Sequence, residues 1–327
     1  MTWLYVTLGV LSVYLLLGFI SVIPIHKKYF SKRYKKNPLI NYYTKEEFNL
    51  KNDEIEFDCN GLILRGDFYY YDNPRTDKLI IVCHGMFSSV ISYMQEIEYF
   101  CRKGFKVLAF DYEGTEKSEG KGIRGLSNSP KCISAGIDYV KSLEEFKGVE
   151  ICLFGHSWGA FGVTNAIKYH KDVNKVCAVA PFASLKRLCM GMYPKFMWLF
   201  IPLFIFIEII NCGKYAFLKG YNTLNSFNNE VLILHSEDDS IVNYSYNTKY
   251  LQDKLSHKQN ISFMILQGKN HNPTYTYKAI ELSKEYNKLY YSLPKDEVDE
   301  LTKNTDFHAL GELDPEVMDK IVEFYNK

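Results

Sequence analysis

Ile151-Cys-Leu-Phe-Gly-His-Ser-Trp-Gly-Ala160 decides the fold. An apolar run stops at Gly155, and the helix-compatible Ala160-Phe-Gly-Val-Thr-Asn-Ala-Ile-Lys168 follows. The pattern predicts a strand, a sharp turn and a helix, with Ser157 at the turn. Such a turn forces the serine into a strained backbone conformation, and a side chain at Gly155 or Gly159 would crowd its neighbours. The Ser157 hydroxyl is then lifted above the sheet edge. The backbone N–H of Trp158 opens the helix, where a developing oxyanion is stabilised. A bare G-x-S-x-G occurs in many unrelated chains. The flanking strand and helix are what make Ser157 a candidate nucleophile rather than a solvent-facing turn residue.

Outward from this turn the chain alternates between strand and helix patterns. Residues 54–59 and 62–69 alternate in polarity around Asn60-Gly61, which predicts a hairpin with a type I′ turn. Apolar runs predict further strands at 78–83, 106–111, 151–154, 175–180, 231–235 and 261–266. Helical patterns lie between them at 88–103, 133–145, 157–169 and 246–255, and another follows at 274–291. The polar stretch 293–311 reads as a loop insertion. A final helix then starts with Asp314 as N-cap and Pro315 in its first turn, its packed face carrying Val317, Ile321 and Phe324. This alternation predicts an α/β fold with a mostly parallel, doubly wound sheet, whose ligands sit at the carboxyl ends of the strands.

Five strand ends carry the polar chemistry: His84-Gly85-Met86-Phe87, Asp111-Tyr112-Glu113-Gly114, the Ser157 turn, His235-Ser236-Glu237-Asp238-Asp239, and Gly268-Lys269-Asn270-His271. Serine, then acid, then histidine is the chain order of α/β-hydrolases. From about Glu54 to Lys327 the chain resembles that superfamily. The resemblance is strongest to the branch of serine aminopeptidases and monoacylglycerol lipases, in its H-G loop, G-H-S-x-G elbow, H-G-x-x-D-x-x-V acid loop (where this chain has Ser236 in place of the usual Gly) and late G-x-x-H. It implies Ser157 as nucleophile, Asp239 as acid and His271 as base, with Met86 and Trp158 supplying the oxyanion N–H groups. A serine hydroxyl is a poor nucleophile until a neutral imidazole takes its proton, and a carboxylate fixes that imidazole's tautomer. Asp238 is the rival acid, with a loop contact as its alternative role. His84, His156 and His235 read as loop-shaping residues, and Asp111 as structural. Two departures stand in the loop after the second parallel strand, where the branch often has Arg and Gly and this chain has Glu113 and Glu116.

The amino-terminal end is of another kind. Thr2 to Ile25 holds no charged side chain, long enough to cross a bilayer of about 30 Å, with Trp3 and Tyr5 where an interfacial aromatic belt would lie. A cleaved signal peptide needs a basic stretch before the apolar run and a small-residue cleavage site after it; neither is present. Residues 1–25 are therefore expected as a single-pass transmembrane anchor, and 26–52 as a basic juxtamembrane linker. His26, Lys27, Lys28, Lys32, Arg33, Lys35 and Lys36 follow the span and place the catalytic domain on the cytoplasmic side, within reach of anionic lipid headgroups. The hydrolase domain is expected over 53–327. Net charge is +1, so composition offers no electrostatic case for nucleic acid. The eight cysteines show no zinc spacing, and Cys83, Cys152 and Cys177 lie in strand runs. Core thiols lean towards a reducing compartment, although an even count leaves disulfides open. No cofactor or metal is expected.

Between 182 and 229 the chain leaves the sheet, where the resemblance implies a helical lid. Its run Phe196-Met-Trp-Leu-Phe-Ile-Pro-Leu-Phe-Ile-Phe-Ile-Glu-Ile-Ile210 holds one charge. Three readings stand: lining of an acyl-chain pocket, insertion into the membrane, or plain core packing. The expected activity is hydrolysis of a small lipophilic carboxylic ester, of monoacylglycerol or lysophospholipid type, next to membrane lipids. The alternatives are a peptidase or acyltransferase on the same residues, and a non-catalytic membrane scaffold of the same fold.

Overall fold

The computed structural model of the protein describes residues 2–36, 38–40 and 42–327. One sheet holds β1 (Lys51–Asp58), β2 (Ile63–Tyr70), β3 (Lys78–Cys83), β4 (Lys106–Phe110), β5 (Glu150–His156), β6 (Lys175–Val179), β7 (Glu230–Ser236) and β8 (Ile261–Leu266). Their spatial order is β1-β2-β4-β3-β5-β6-β7-β8. The β1–β2 and β2–β4 pairs are antiparallel and the rest parallel. The helices are α1 (Thr2–Phe30), α2 (Met94–Arg102), α3 (Asn128–Ser142), α4 (Trp158–Ala166), α5 (Leu185–Met192), α6 (Ile201–Cys212), α7 (Gly220–Asn225), α8 (Thr248–Leu255), α9 (Tyr277–Ser292), α10 (Lys295–Asn304), α11 (Phe307–Leu310) and α12 (Pro315–Asn326).

The continuous apolar run of β3 is explained by burial on both faces. Its side chains split by the period of two. Leu79, Ile81 and Cys83 pack with Ile133 of α3 and Phe161 of α4. Ile80 and Val82 pack with Ile97 of α2 and Ile321 of α12. The sheet is thus the middle of three layers. At the β1–β2 hairpin Asn60 and Gly61 take φ of 56° and 81°, the two positive values a type I′ turn needs. Asp314 caps α12 as expected, its side chain accepting the N–H of Glu316. The eight cysteines are all free and buried.

Four expectations need correction. Residues 293–311 are not a loop insertion: they carry α10 and α11. Their polarity belongs to the solvent faces of short helices, and Asp306 caps α11 by accepting the Ala309 N–H at 3.2 Å. The helix expected at 88–103 is divided, a 3₁₀ turn at Val90–Ser92 preceding α2. The helix expected from 133 starts at Asn128, because Pro130 fits its first turn.

The fourth concerns the amino-terminal helix, which does not stop at Ile25. It runs through Pro24 to Phe30, and His26 and Phe30 are buried against the domain. The segment that follows is stitched down rather than free. Phe30 O accepts from Arg124 N–H at 3.0 Å, and Tyr34 N–H donates to Gly114 O at 2.9 Å. The Arg33 guanidinium forks onto the carbonyls of Ser118, Gly120 and Glu116 at 2.8–3.0 Å, a use of its planar donors that a sequence pattern of basic residues hides. An apolar helix compatible with membrane anchoring is therefore tied to the sheet domain by backbone and guanidinium hydrogen bonds.

The run between β6 and β7 folds as α5, α6 and α7 joined by 3₁₀ turns at Lys195–Phe200 and Gly213–Phe217. Within Lys195–Asn225 an 18-residue window reaches a mean hydropathy of 2.0, apolar enough for a membrane span by length and composition alone. Its longest helix, α6, covers only about 18 Å at 1.5 Å per residue, against a bilayer core of about 30 Å.

Candidate active site

The β5–α4 turn has the strain its glycines imply. Ser157 stands at φ 55°, ψ −112°. A Cβ on Gly155 would meet Gly159 O at 2.6 Å, and one on Gly159 would meet Cys83 O at 2.0 Å. The turn is held by Ser157 N–H donating to Val179 O at 2.8 Å, so β6 fixes the nucleophile candidate from the neighbouring strand.

Three strand ends then meet. His271 Nε2 lies 2.9 Å from Ser157 Oγ, and His271 Nδ1 lies 2.8 Å from Asp239 Oδ2. The other carboxylate oxygen, Asp239 Oδ1, accepts the N–H groups of Ile241 and Val242, each at 2.8 Å. His235 also faces Asp239: its Nε2 is 3.0 Å from Oδ2 and 2.9 Å from Val242 O, and its Nδ1 is 2.6 Å from Thr248 Oγ1. Two acceptors around Nε2 put the His235 proton there, with the Thr248 hydroxyl donating to Nδ1. Burial alone would raise the Asp239 pKa, but hydrogen bonds from His235 and His271 outweigh it and hold the carboxyl well below the usual range. Asp239 is therefore an anion wherever the protein is folded at neutral pH. Asp238 does not approach the imidazole. It accepts from the Ser236 hydroxyl and, at 3.3 Å, from Asn270 N–H, bracing two loops.

Met86 and Trp158 line the cavity in front of Ser157. The Trp158 indole points away from it, buried, with Nε1 donating to Leu126 O at 2.6 Å. His84 is buried below the same loop, Nδ1 donating to Gly85 O at 2.8 Å. Burial lowers its pKa to about 4 and keeps it neutral. Asp111 binds the N–H groups of Val90 at 3.0 Å and Lys117 at 3.3 Å, and burial pushes it up to about 6. Glu113, at a position where the branch often has Arg, lies 2.8 Å from Lys131 and 3.2 Å from Arg124, tying its loop to α3.

Two residues of the site have no motif to announce them. Tyr93 accepts from Gly85 N–H at 3.0 Å and donates to His156 Nδ1 at 2.7 Å, while His156 Nε2 donates to His271 O at 2.8 Å. One phenol thus connects the loop of Met86 to the backbone of His271. Burial, reinforced by the neighbouring His271, lowers His156 to about 3, so it serves this chain as a neutral ring. The second is Glu96 on α2, buried, whose carboxyl is pushed up to about 7 by desolvation.

The cavity is about 490 Å³. Its lining is largely apolar, with Met86, Phe87, Phe182, Leu188 and Met192, and also carries polar groups from Ser92, Glu96, Thr274, Ser283 and Asn287. A serine, an imidazole and a carboxylate joined by hydrogen bonds beside one void is an arrangement suited to acyl transfer. Among the described residues no cluster of His, Cys, Asp or Glu is placed to hold a metal ion.

Comparison with known proteins bears on the family likeness and the fold. The sequence model of the family described as serine aminopeptidase, S33, matches residues 74–212. Human Protein ABHD12B is 26% identical over 231 residues, covering 65% of this chain and 62% of that protein. The lysophosphatidylserine lipase ABHD12 of Danio rerio is 25% identical over 153 residues, 45% of this chain and 38% of that one. The chain thus spans less than two thirds of the length of either relative. Among solved structures, the Pyrococcus furiosus esterase Pf2001 superposes with a TM-score of 0.58 at 20% identity, covering 83% of this chain and 98% of the esterase. Est1E from Butyrivibrio proteoclasticus, bound to ferulic acid, gives 0.54 at 20% identity, covering 73% of this chain and all of that one, 100%. The fold is that of the α/β hydrolases, and the chain resembles their branch of serine aminopeptidases and monoacylglycerol lipases.

Proposed function

We propose that this protein is a membrane-anchored serine hydrolase that cleaves lipid-like carboxylic esters through an acyl-enzyme. The observation that carries the reading is the unbroken Ser157–His271–Asp239 chain of hydrogen bonds, 2.9 and 2.8 Å long, ending on a strained serine that faces a largely apolar cavity. In this reading Ser157 Oγ attacks the ester carbonyl carbon while His271 Nε2 takes its proton. The carbonyl oxygen becomes an oxyanion held by the N–H groups of Met86 and Trp158; one such donor is typically worth about 2.7–4 kcal/mol. Collapse breaks the bond to the alcohol oxygen, which receives the proton from His271, and water releases the acid by the same steps in reverse. Asp239, already ionised, stabilises the transient imidazolium.

The lipid assignment is supported by the apolar residues lining the cavity, the exposed apolar helix α1 and the apolar lid, and by the likeness to the lysophosphatidylserine lipase of Danio rerio. The basic residues after α1 support a cytoplasmic catalytic domain. A reporter fused after Lys327 and active only outside the cytosol would overturn that orientation. For the chemistry, a fluorophosphonate is expected to label the full chain in vesicles at Ser157. Ser157→Ala is expected to abolish labelling and lower kcat on p-nitrophenyl esters by on the order of 10⁶. Unlabelled wild type, or an active Ser157→Ala, sinks the enzyme assignment and leaves the scaffold reading.

A further inference from the structure

A second cavity of about 300 Å³ adjoins the first, within the size range of small-molecule pockets, roughly 300–1,000 Å³. One wall is the carboxyl-terminal part of α1, through Val22, Ile25, Tyr29 and Phe30; the facing wall is the lid, through Phe200 and Phe204. Met86, Phe87, Leu126, Leu188 and Met192 line both cavities, so the two voids lie against a shared wall at the loop beside Ser157. The walls of the second void carry almost no polar group.

We infer that the acyl chain of the substrate lies in this second cavity, so that α1 is a wall of the substrate site as well as an anchor, and that the chain enters sideways from the bilayer. The inference rests on the lipid-ester reading above and goes further by naming the helix that shapes the chain's path. Three observations carry it. First, α1 is locked to the lid: a Cβ on Gly18 would meet Leu203 Cδ1 at 1.9 Å, and the Tyr14 hydroxyl donates to Leu199 O at 2.8 Å. Second, the contact is polar at its base. Glu208 of α6 is fully buried, accepts the N–H groups of Leu126 and Ser127 at 3.0 and 2.9 Å, and lies 3.5 Å from His26 of α1. The anchor, the lid and the loop shared by both cavities thus meet at one carboxylate. Third, the outer surface beside this seam is apolar, with Phe196 73% and Leu199 62% exposed next to the bare upper turns of α1. A path into the cavity beside such surface would face lipid rather than water, and a chain sliding along it would keep its apolar surroundings from bilayer to cavity.

The test uses the full chain in phosphatidylcholine vesicles and p-nitrophenyl esters from acetate to dodecanoate. Ile25→Trp, which fills the second cavity, is expected to lower kcat/KM for dodecanoate roughly tenfold or more while acetate is unchanged. Ile20→Trp, on the exposed side of α1, is expected to alter neither ester. Val22→Ala enlarges the void and is expected to move the preferred chain length upward, which decides the matter if Ile25→Trp does not fold. A fluorophosphonate with a long alkyl chain ending in a diazirine is expected to crosslink within Val22–Phe30 or at Phe200 and Phe204. The inference falls if filling or enlarging the cavity leaves the chain-length profile untouched, if acetate and dodecanoate decline together, or if crosslinks map near Glu96. A wild type that takes no fluorophosphonate and cleaves no ester overturns the enzyme reading itself, a result distinct from an active enzyme blind to α1.

Discussion

At the residue scale the site is a set of single atoms held from several directions. Tyr93 shows it best. Changing Tyr93 to Phe leaves Gly85 N–H and His156 Nδ1 without a partner while the ring still fills its place. An unsatisfied buried polar group costs about 1–3 kcal/mol. The expected result is a roughly 10- to 100-fold fall in kcat with KM little moved, because the phenol positions the loop of Met86 and does not touch substrate. Steady-state kinetics on a short ester separate the two constants. Glu96 makes a prediction of the opposite sign. Its folded pKa, about 7, lies above the unfolded value of about 4.3. The stability it contributes is present below pH about 4.3 and is lost as pH rises through about 7, because the unfolded chain releases the proton first. Glu96→Gln should therefore flatten the decline of Tm between those values, raising Tm at pH 8 and leaving it little changed near pH 4. An unchanged slope would show that Glu96 ionises freely. Ser157, Asp239 and His271 were legible because each sits at a strand end inside a spaced motif. Tyr93 was not, since its partners lie 8 and 63 residues away in the chain and no local pattern marks it.

At the scale of elements, strands were read well and helix ends less so. Continuous apolar runs such as β3 admit one interpretation once helices flank them. Short amphipathic pieces such as α10 and α11 do not, because half of their surface is meant for water and the other half is only a few side chains. The α12 layer has a latch the sequence did not disclose. Asp314 caps α12 and also pairs with Lys269 at 2.7 Å, on the loop that carries His271. Lys269 is 1% exposed. Asp314→Ala removes the cap, worth about 1 kcal/mol. It also takes the carboxylate from the buried Lys269 ammonium, which keeps the Tyr275 carbonyl and the Tyr277 ring. The loss of a buried ion-pair partner, about 3–5 kcal/mol when nothing else remains, is the upper bound. Chemical denaturation should show a loss above that of the cap alone and within that bound; a loss no larger than the cap's would mean that the carbonyl and the ring suffice for Lys269.

At the scale of the whole molecule, the sequence divides plainly into an apolar helix, a basic stretch and an α/β sheet domain. It does not reveal that the three are in contact, since His26 and Glu208, or Arg33 and the 116–120 carbonyls, come together only through the fold. The free, buried thiols have a consequence of their own. A closed molecule shows an alkylating reagent no sulfur, so each cysteine reacts only while its own surroundings are open. Cys189 and Cys212 belong to the lid; Cys101 is on α2, and Cys152 and Cys177 are on the sheet strands in the core that α2 and α12 cover. The chain therefore carries a clock in each layer, and the order in which the sulfurs react ranks the opening free energies of lid and sheet within one unlabelled protein.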